Sequence, residues 1–137
     1  TAAKAYTAGS LGTFTTTSWQ SSGTLSSAIP DNSTTGVSDT IAVTGTNTIE
    51  AVQIKINASH TATGDLAIEL TSPAGTKSVV MTPWNTFSVS NDLTNMVLLS
   101  NAFYGESTNG NWTIKVIDAA SEDTGNLTDW SIRFFGH

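Results

Sequence analysis

The chain has 137 residues, no cysteine, 38% hydrophobic residues and 12% charged ones, with a formal net charge of −6. That length fits one domain with a sizeable core, and the missing cysteines exclude a disulfide scaffold or a thiolate metal site. Five cations against eleven acids exclude the clustered positive charge that nucleic acid or an anionic membrane surface demands, and with no apolar run of 18 residues no transmembrane helix is expected.

The first residues, Thr1 to Ala5, lack the long apolar run of a signal peptide, so the sequence reads as a mature segment or an excised domain. Residues 1–24 are rich in Thr, Ser, Ala and Gly and read as a linker-like segment. Phe14 and Trp19 set it apart from a pure linker, and the part near Thr13 to Trp19 is expected to dock, as an extra strand, on a β domain spanning 25–137.

From there strands alternate with turns. Ile41 and Val43 alternate with polar neighbours. Val52, Ile54 and Ile56 alternate with Gln53, Lys55 and Asn57; Leu66, Ile68 and Leu70 alternate with Ala67, Glu69 and Thr71. Shorter runs follow at 78–81 and 96–99. Trp112, Ile114 and Val116 face one way against Thr113 and Lys115, and Trp130, Ile132 and Phe134 repeat the scheme. A period of two places one face of each strand in a core. The result is an all-β chain, a β-sandwich or jelly roll of roughly eight antiparallel strands. A helical turn near Asn91 to Asn95 is the most helix the pattern allows. Gly75, after Ser72-Pro73-Ala74, and Gly125, before the last strand, read as turn glycines with positive φ. Trp112 and Trp130 read as core pillars. Trp19, Trp84 and Tyr104 are less clearly patterned and are the aromatic candidates for a binding surface.

Chemistry is sparse. His137 is terminal, which leaves His60 as the only internal base, and no Gly-x-Ser-x-Gly elbow accompanies it. His60 is expected to hydrogen-bond within its own loop. Glu69, Glu106 and Asp118 show no sign of a glycosidase pair, and zinc is disfavoured with no Cys and one internal His. Calcium, which takes six to eight hard oxygen ligands from loops, is the metal that the acids suit. Asp31 ends one strand, Asp65 begins another and Asp118 ends a third. If the strands of Leu66 and Trp112 are antiparallel neighbours, Asp65 and Asp118 share one end of the sandwich, with Asp123 nearby. The other reading of these acids is that they cap their own turns.

The order of these pieces resembles a known family, over about residues 29–136. Ile29-Pro30-Asp31 comes first, then His60 to Gly64-Asp65-Leu66, then Ser72-Pro73-Ala74-Gly75-Thr76. Gly105-Glu106, Gly110-Asn111-Trp112, the strand ending at Asp118, Gly125-Asn126-Leu127 with Trp130, and Gly136 close it. This pattern is similar to the P domain (P/Homo B domain) that follows the catalytic domain in proprotein convertases and in many secreted bacterial subtilisin-like serine proteases. One departure is Thr61-Ala62-Thr63, where the family commonly carries an aromatic or basic residue. The resemblance implies a secreted, non-catalytic jelly-roll domain whose partner is its own subtilisin-like catalytic domain, which it supports in folding and stability. In some bacterial members it also implies engagement of protein substrates. The catalytic triad would lie elsewhere in the parent chain. The alternative is a carbohydrate- or matrix-binding β-sandwich module, which a planar row of exposed aromatics would favour.

Overall fold

The computed structural model describes residues 12–83 and 92–137. Among them, ten strands and one turn of 3-10 helix form two antiparallel sheets packed face to face. The strands are β1 (Thr15–Thr16), β2 (Gln20–Ser21), β3 (Ser27–Ile29), β4 (Ser33–Val43), β5 (Ile49–His60), β6 (Leu66–Thr71), β7 (Lys77–Met81), β8 (Leu93–Ser100), β9 (Gly110–Asp118) and β10 (Gly125–Gly136). One sheet runs β1-β10-β5-β8, with β2 and β3 also on β10; the other runs β4-β9-β6-β7. Strands β1 to β3 are short pieces that line up in series along the free edge of β10. Trp84 and Asn91 lie outside the described residues.

The alternation in the sequence is the alternation in the sandwich. Val52, Ile54, Ile56 and Ala58 of β5, Leu66, Ile68 and Leu70 of β6, and Trp112, Ile114 and Val116 of β9 are all buried in one core. In β10 the phase slips: Leu127 is buried, and so is Trp130, three positions on. An extra residue explains it. Leu127 pairs with Ala58 and Asp129 with Asn57, so Thr128 bulges out of register and the inward face resumes at Trp130.

A second bulge occupies the stretch before Asn95, where the sequence pattern allows one helical turn at most. Residues 93–95 belong to β8, where Leu93 pairs with Ala58 and Met96 with Ile56. The extra residue is accommodated at Asn95, whose φ is 48°. The side chain of Asn57 fixes it, accepting the Asn95 N–H at 2.7 Å and donating to the Asn95 Oδ1 at 3.2 Å. Asn tolerates this left-handed conformation better than most residues. Among the described residues the one helical turn is at Thr63–Asp65.

Glycines 75 and 125 serve different ends. Gly75 has φ +90° in the turn closed by its N–H to the Ser72 carbonyl at 2.9 Å. Gly125 has no positive φ. A Cβ there would sit 1.9 Å from the Ser59 carbonyl oxygen, so the residue is glycine because β10 passes hard against β5 at this point.

The two tryptophans come from opposite sheets. Trp112 of β9 meets the edge of Phe103 at a centroid distance of 5.1 Å and lies 5.1 Å from Phe134 of β10. Its indole N–H donates to the Thr108 carbonyl at 2.9 Å. Trp130 of β10 donates to the Asp39 carboxylate of β4, in the other sheet, at 2.7 Å. Both rings are fully buried and both polar edges are satisfied, as buried indoles require.

Candidate functional site

Antiparallel pairing of β6 with β9 brings Leu66 opposite Asp118, and β4 brings Ser33 opposite the same residue. Asp31, Asp65, Asp118 and Asp123 thus lie at one end of the sandwich. The 3-10 turn at Thr63–Asp65 starts β6, and the loop from Asp118 to Gly125 returns the chain to the other sheet. An open cavity of about 670 Å³ lies at the same end, lined by Ile29, Ser59, His60, Asp92 and Asn126 among others.

The centre of this end is a buried pair, His60 with Asp118. His60 Nε2 lies 3.0 Å from Asp118 Oδ2, and both side chains are shut off from solvent. The other ring nitrogen, Nδ1, accepts the Ala62 N–H at 3.0 Å. Nδ1 therefore has no proton, the ring's proton sits on Nε2, and the histidine donates to the carboxylate. Asp118 Oδ1 in turn accepts the Ala120 N–H at 3.1 Å, and the His60 backbone N–H donates to Asp92 Oδ1 at 3.0 Å. A carboxylate taken out of water needs such donors. The pair ties the end of β5 to the end of β9 across the two sheets and shapes the loops on either side. Both nitrogens of His60 are committed, which leaves it no role as a base.

The other three acids have duties of their own. Asp31 Oδ2 accepts the Glu122 N–H at 3.3 Å, fixing a residue with φ 79°. Asp123 Oδ1 accepts the Thr61 hydroxyl at 2.7 Å. The Asp65 carbonyl accepts the Ala119 N–H at 3.0 Å, stitching the 3-10 turn to the loop after β9. The four residues share an end, but their side chains do not converge: among the described residues no three His, Asp or Glu side chains gather as a metal site.

Two contributors escape a reading of the sequence. Asp39 lies on the inward phase of β4, with Ile41 and Val43, and serves the Trp130 indole; an acid in an apolar phase is the signal that points to it. Asp92 precedes β8 with no pattern to mark it. Of the aromatic candidates, Tyr104 is exposed in the loop before Gly105. The Trp19 ring is covered by Lys55, with Nζ 4.6 Å from its centroid, and by the Arg133 guanidinium at 4.4 Å.

Comparison with known proteins completes the assignment. The family model described as the proprotein convertase P-domain matches residues 49–134. The extracellular serine protease of Aeromonas sobria is 32% identical over 145 residues, covering 80% of this chain and 23% of that protein. Rat proprotein convertase subtilisin/kexin type 6 is 36% identical over 94 residues, covering 64% of this chain and 10% of that protein. A crystal structure of the Aeromonas sobria serine protease in complex with its chaperone superimposes with a TM-score of 0.83 at 30% identity, over 93% of this chain and 28% of the other. The chain spans about a quarter of the Aeromonas sobria protease and about a tenth of the mammalian convertase. With the family model, the sandwich and the ordered motifs in agreement, this chain belongs to the proprotein convertase P-domain family.

Proposed function

We propose that this domain is the non-catalytic accessory module of a secreted subtilisin-like serine protease, that it supports the folding and stability of the catalytic domain, and that it helps engage protein substrates. The observation that carries the reading is the superposition on a serine protease over 93% of the chain. The commitment of His60 to Asp118 and Ala62 supports the non-catalytic part of it. Extracellular location is supported by the Aeromonas sobria relative, an extracellular serine protease; among the described residues no helix is long and apolar enough to cross a membrane.

The purified chain is expected to release no product from casein or a peptide ester. Turnover abolished by a serine-directed inhibitor would overturn this. In the whole protease, deletion of the domain is expected to lower the melting temperature or the yield of the catalytic part; an unchanged yield and melting curve would remove the supporting role. Against the carbohydrate-binding alternative stand Trp112 and Trp130, buried in the core, and Trp19, whose ring carries two cations; of its aromatic candidates Trp84 lies outside the described residues and Tyr104 is exposed.

Calcium at the Asp31, Asp65, Asp118 and Asp123 end has only their shared location in its favour, and the hydrogen bonds of Asp31, Asp118 and Asp123 count against it. The calcium proposal requires a melting temperature that rises with calcium and falls with chelator, because an ion bound only to the folded state adds about 2.7 kcal/mol at a hundredfold excess over its dissociation constant. Superimposable curves would eliminate it.

A further inference from the structure

The side-chain amide of asparagine is a thermally labile group. It is lost when the backbone nitrogen of the next residue reaches the side-chain carbonyl, and a glycine there neither shields its nitrogen nor restricts the approach. Of the ten asparagines in the sequence, only Asn109 precedes a glycine. Several others are tied down: Asn57 is bonded to Asn95 and Asp129, and Asn47 to Thr15. Asn109 is exposed, and among the described residues only its backbone is engaged, the N–H donating to Ser107 Oγ at 3.2 Å.

The fold preserves this vulnerable pair. Gly110 has φ +124°, and a Cβ there would stand 2.6 Å from Pro73 Cβ, so no other residue fits the position. Gly110 is also the first residue of β9. Pairing with β4 ends at Val43 opposite Gly110, and pairing with β6 begins only at Thr113. The Gly110 nitrogen is therefore freed by fraying one terminal pair, a far cheaper event than opening the sheet.

We propose that Asn109–Gly110 is a site of spontaneous covalent modification, which converts Asn109 to aspartate and isoaspartate and loosens the Trp112 end of β9 as the protein ages. The Gly110 nitrogen attacks Asn109 Cγ. The new N–Cγ bond closes a five-membered succinimide, the Cγ–Nδ2 bond breaks, and the amide leaves as ammonia, carrying the proton that Gly110 gives up. Water then opens the ring. Cleavage at Cγ gives aspartate; cleavage at the main-chain carbonyl gives isoaspartate, with the chain rerouted through Cβ and Cγ. The extra methylene falls between Thr108 and Gly110. Thr108 donates its N–H to the Asn47 carbonyl at 3.0 Å and accepts the Trp112 indole N–H at 2.9 Å. A longer main chain inside that loop has to displace either Thr108 or the start of β9. The inference stands independently of the P-domain reading.

The test ages the purified chain at mildly alkaline pH, which favours the attacking nitrogen. It is compared with an Asn109→Gln form, whose longer side chain would have to close a six-membered ring. The readouts are peptide masses, labelling by an isoaspartyl methyltransferase, and thermal melting. Conversion is expected at Asn109 before any other asparagine, with the methyl label on the same peptide and absent from the Asn109→Gln form. Freshly made, the two proteins should melt together, because the side chain is exposed. After ageing, the wild type should melt lower and the Asn109→Gln form should be unchanged. Another asparagine reacting first would overturn the site. So would conversion at Asn109 in the urea-unfolded chain but not in the folded one, since the fold would then protect the pair. Conversion at Asn109 without any loss of melting temperature would overturn the link to Trp112.

Discussion

Trp112→Ala is expected to lower the melting temperature by about 10–20 °C or to prevent folding. Removing a buried aromatic side chain costs about 3–5 kcal/mol, and in a domain of this size each kcal/mol moves the midpoint by about 3–4 °C. The estimate is at the severe end because the ring is packed from two sides. Phe103 presents its edge and Phe134, from the opposite sheet, tilts onto it, so the space it leaves cannot be closed by moving one strand. The Thr108 carbonyl would also lose its donor. Trp130→Ala is expected to be equally damaging by a second route, since it strands the Asp39 carboxylate at the margin of the core. Thermal melts followed by near-ultraviolet circular dichroism decide the matter. A shift of one or two degrees for either variant would contradict the core assignment. Trp130→Phe separates the two contributions: it keeps most of the packing and gives up the hydrogen bond, at about 1–3 kcal/mol.

The second large effect is expected at the His60–Asp118 pair, where even an isosteric change is costly. Asp118 meets two donors, His60 Nε2–H and Ala120 N–H. An asparagine has only one acceptor oxygen to offer them. Whichever way its amide is turned, an NH₂ group faces an N–H in a site without solvent. Moving the imidazole proton does not help, because Nδ1–H would then confront the Ala62 N–H. Hydrogen bonds to charged groups are worth about 1.5–3 kcal/mol, and Asp118→Asn should lose at least that. His60→Ala adds the loss of a buried ring, for a total of about 2–4 kcal/mol. The double variant is expected to cost less than the two singles together, since each removes the same interaction. Urea unfolding of the four proteins gives the cycle. Additive costs, or an Asp118→Asn protein as stable as wild type, would show that the pair is incidental.

The sheets could be read from the sequence because their signal is local: inward residues in β5, β6 and β9 recur every second position, and burial follows. What could not be read are events that belong to two strands at once. The slip from Leu127 to Trp130 has meaning only against Ala58 and Asn57, and Asn95 only against Asn57. Gly125 carries the same lesson, since the turn chemistry suggested by its identity gives way to a close approach by Ser59. At the candidate site, the spacing of Asp31, Asp65, Asp118 and Asp123 correctly indicated a common end. It could not say what each carboxylate would bond, because Ala120, Thr61, Glu122 and His60 reach them through loops and a bulged sheet. The partnership of His60 with Asp118 spans 58 positions and has no local trace.

The place of β10 carries a kinetic consequence. It lies between β5 on one side and β1, β2 and β3 on the other, so it is the strand that makes one sheet out of separate pieces. Thr15 bonds to Gly136 across 121 positions. Contacts so distant along the chain must be reached by closing very large loops before they repay the entropy, which places this fold among the slow ones, in the range of milliseconds to seconds. On a ribosome, β5 and β8 would emerge long before their neighbour and wait with an open, apolar edge. A truncation that removes 125–136 should therefore yield no smaller native domain, only an aggregation-prone chain, and the final strand of the sandwich decides whether all the earlier ones have anything to join.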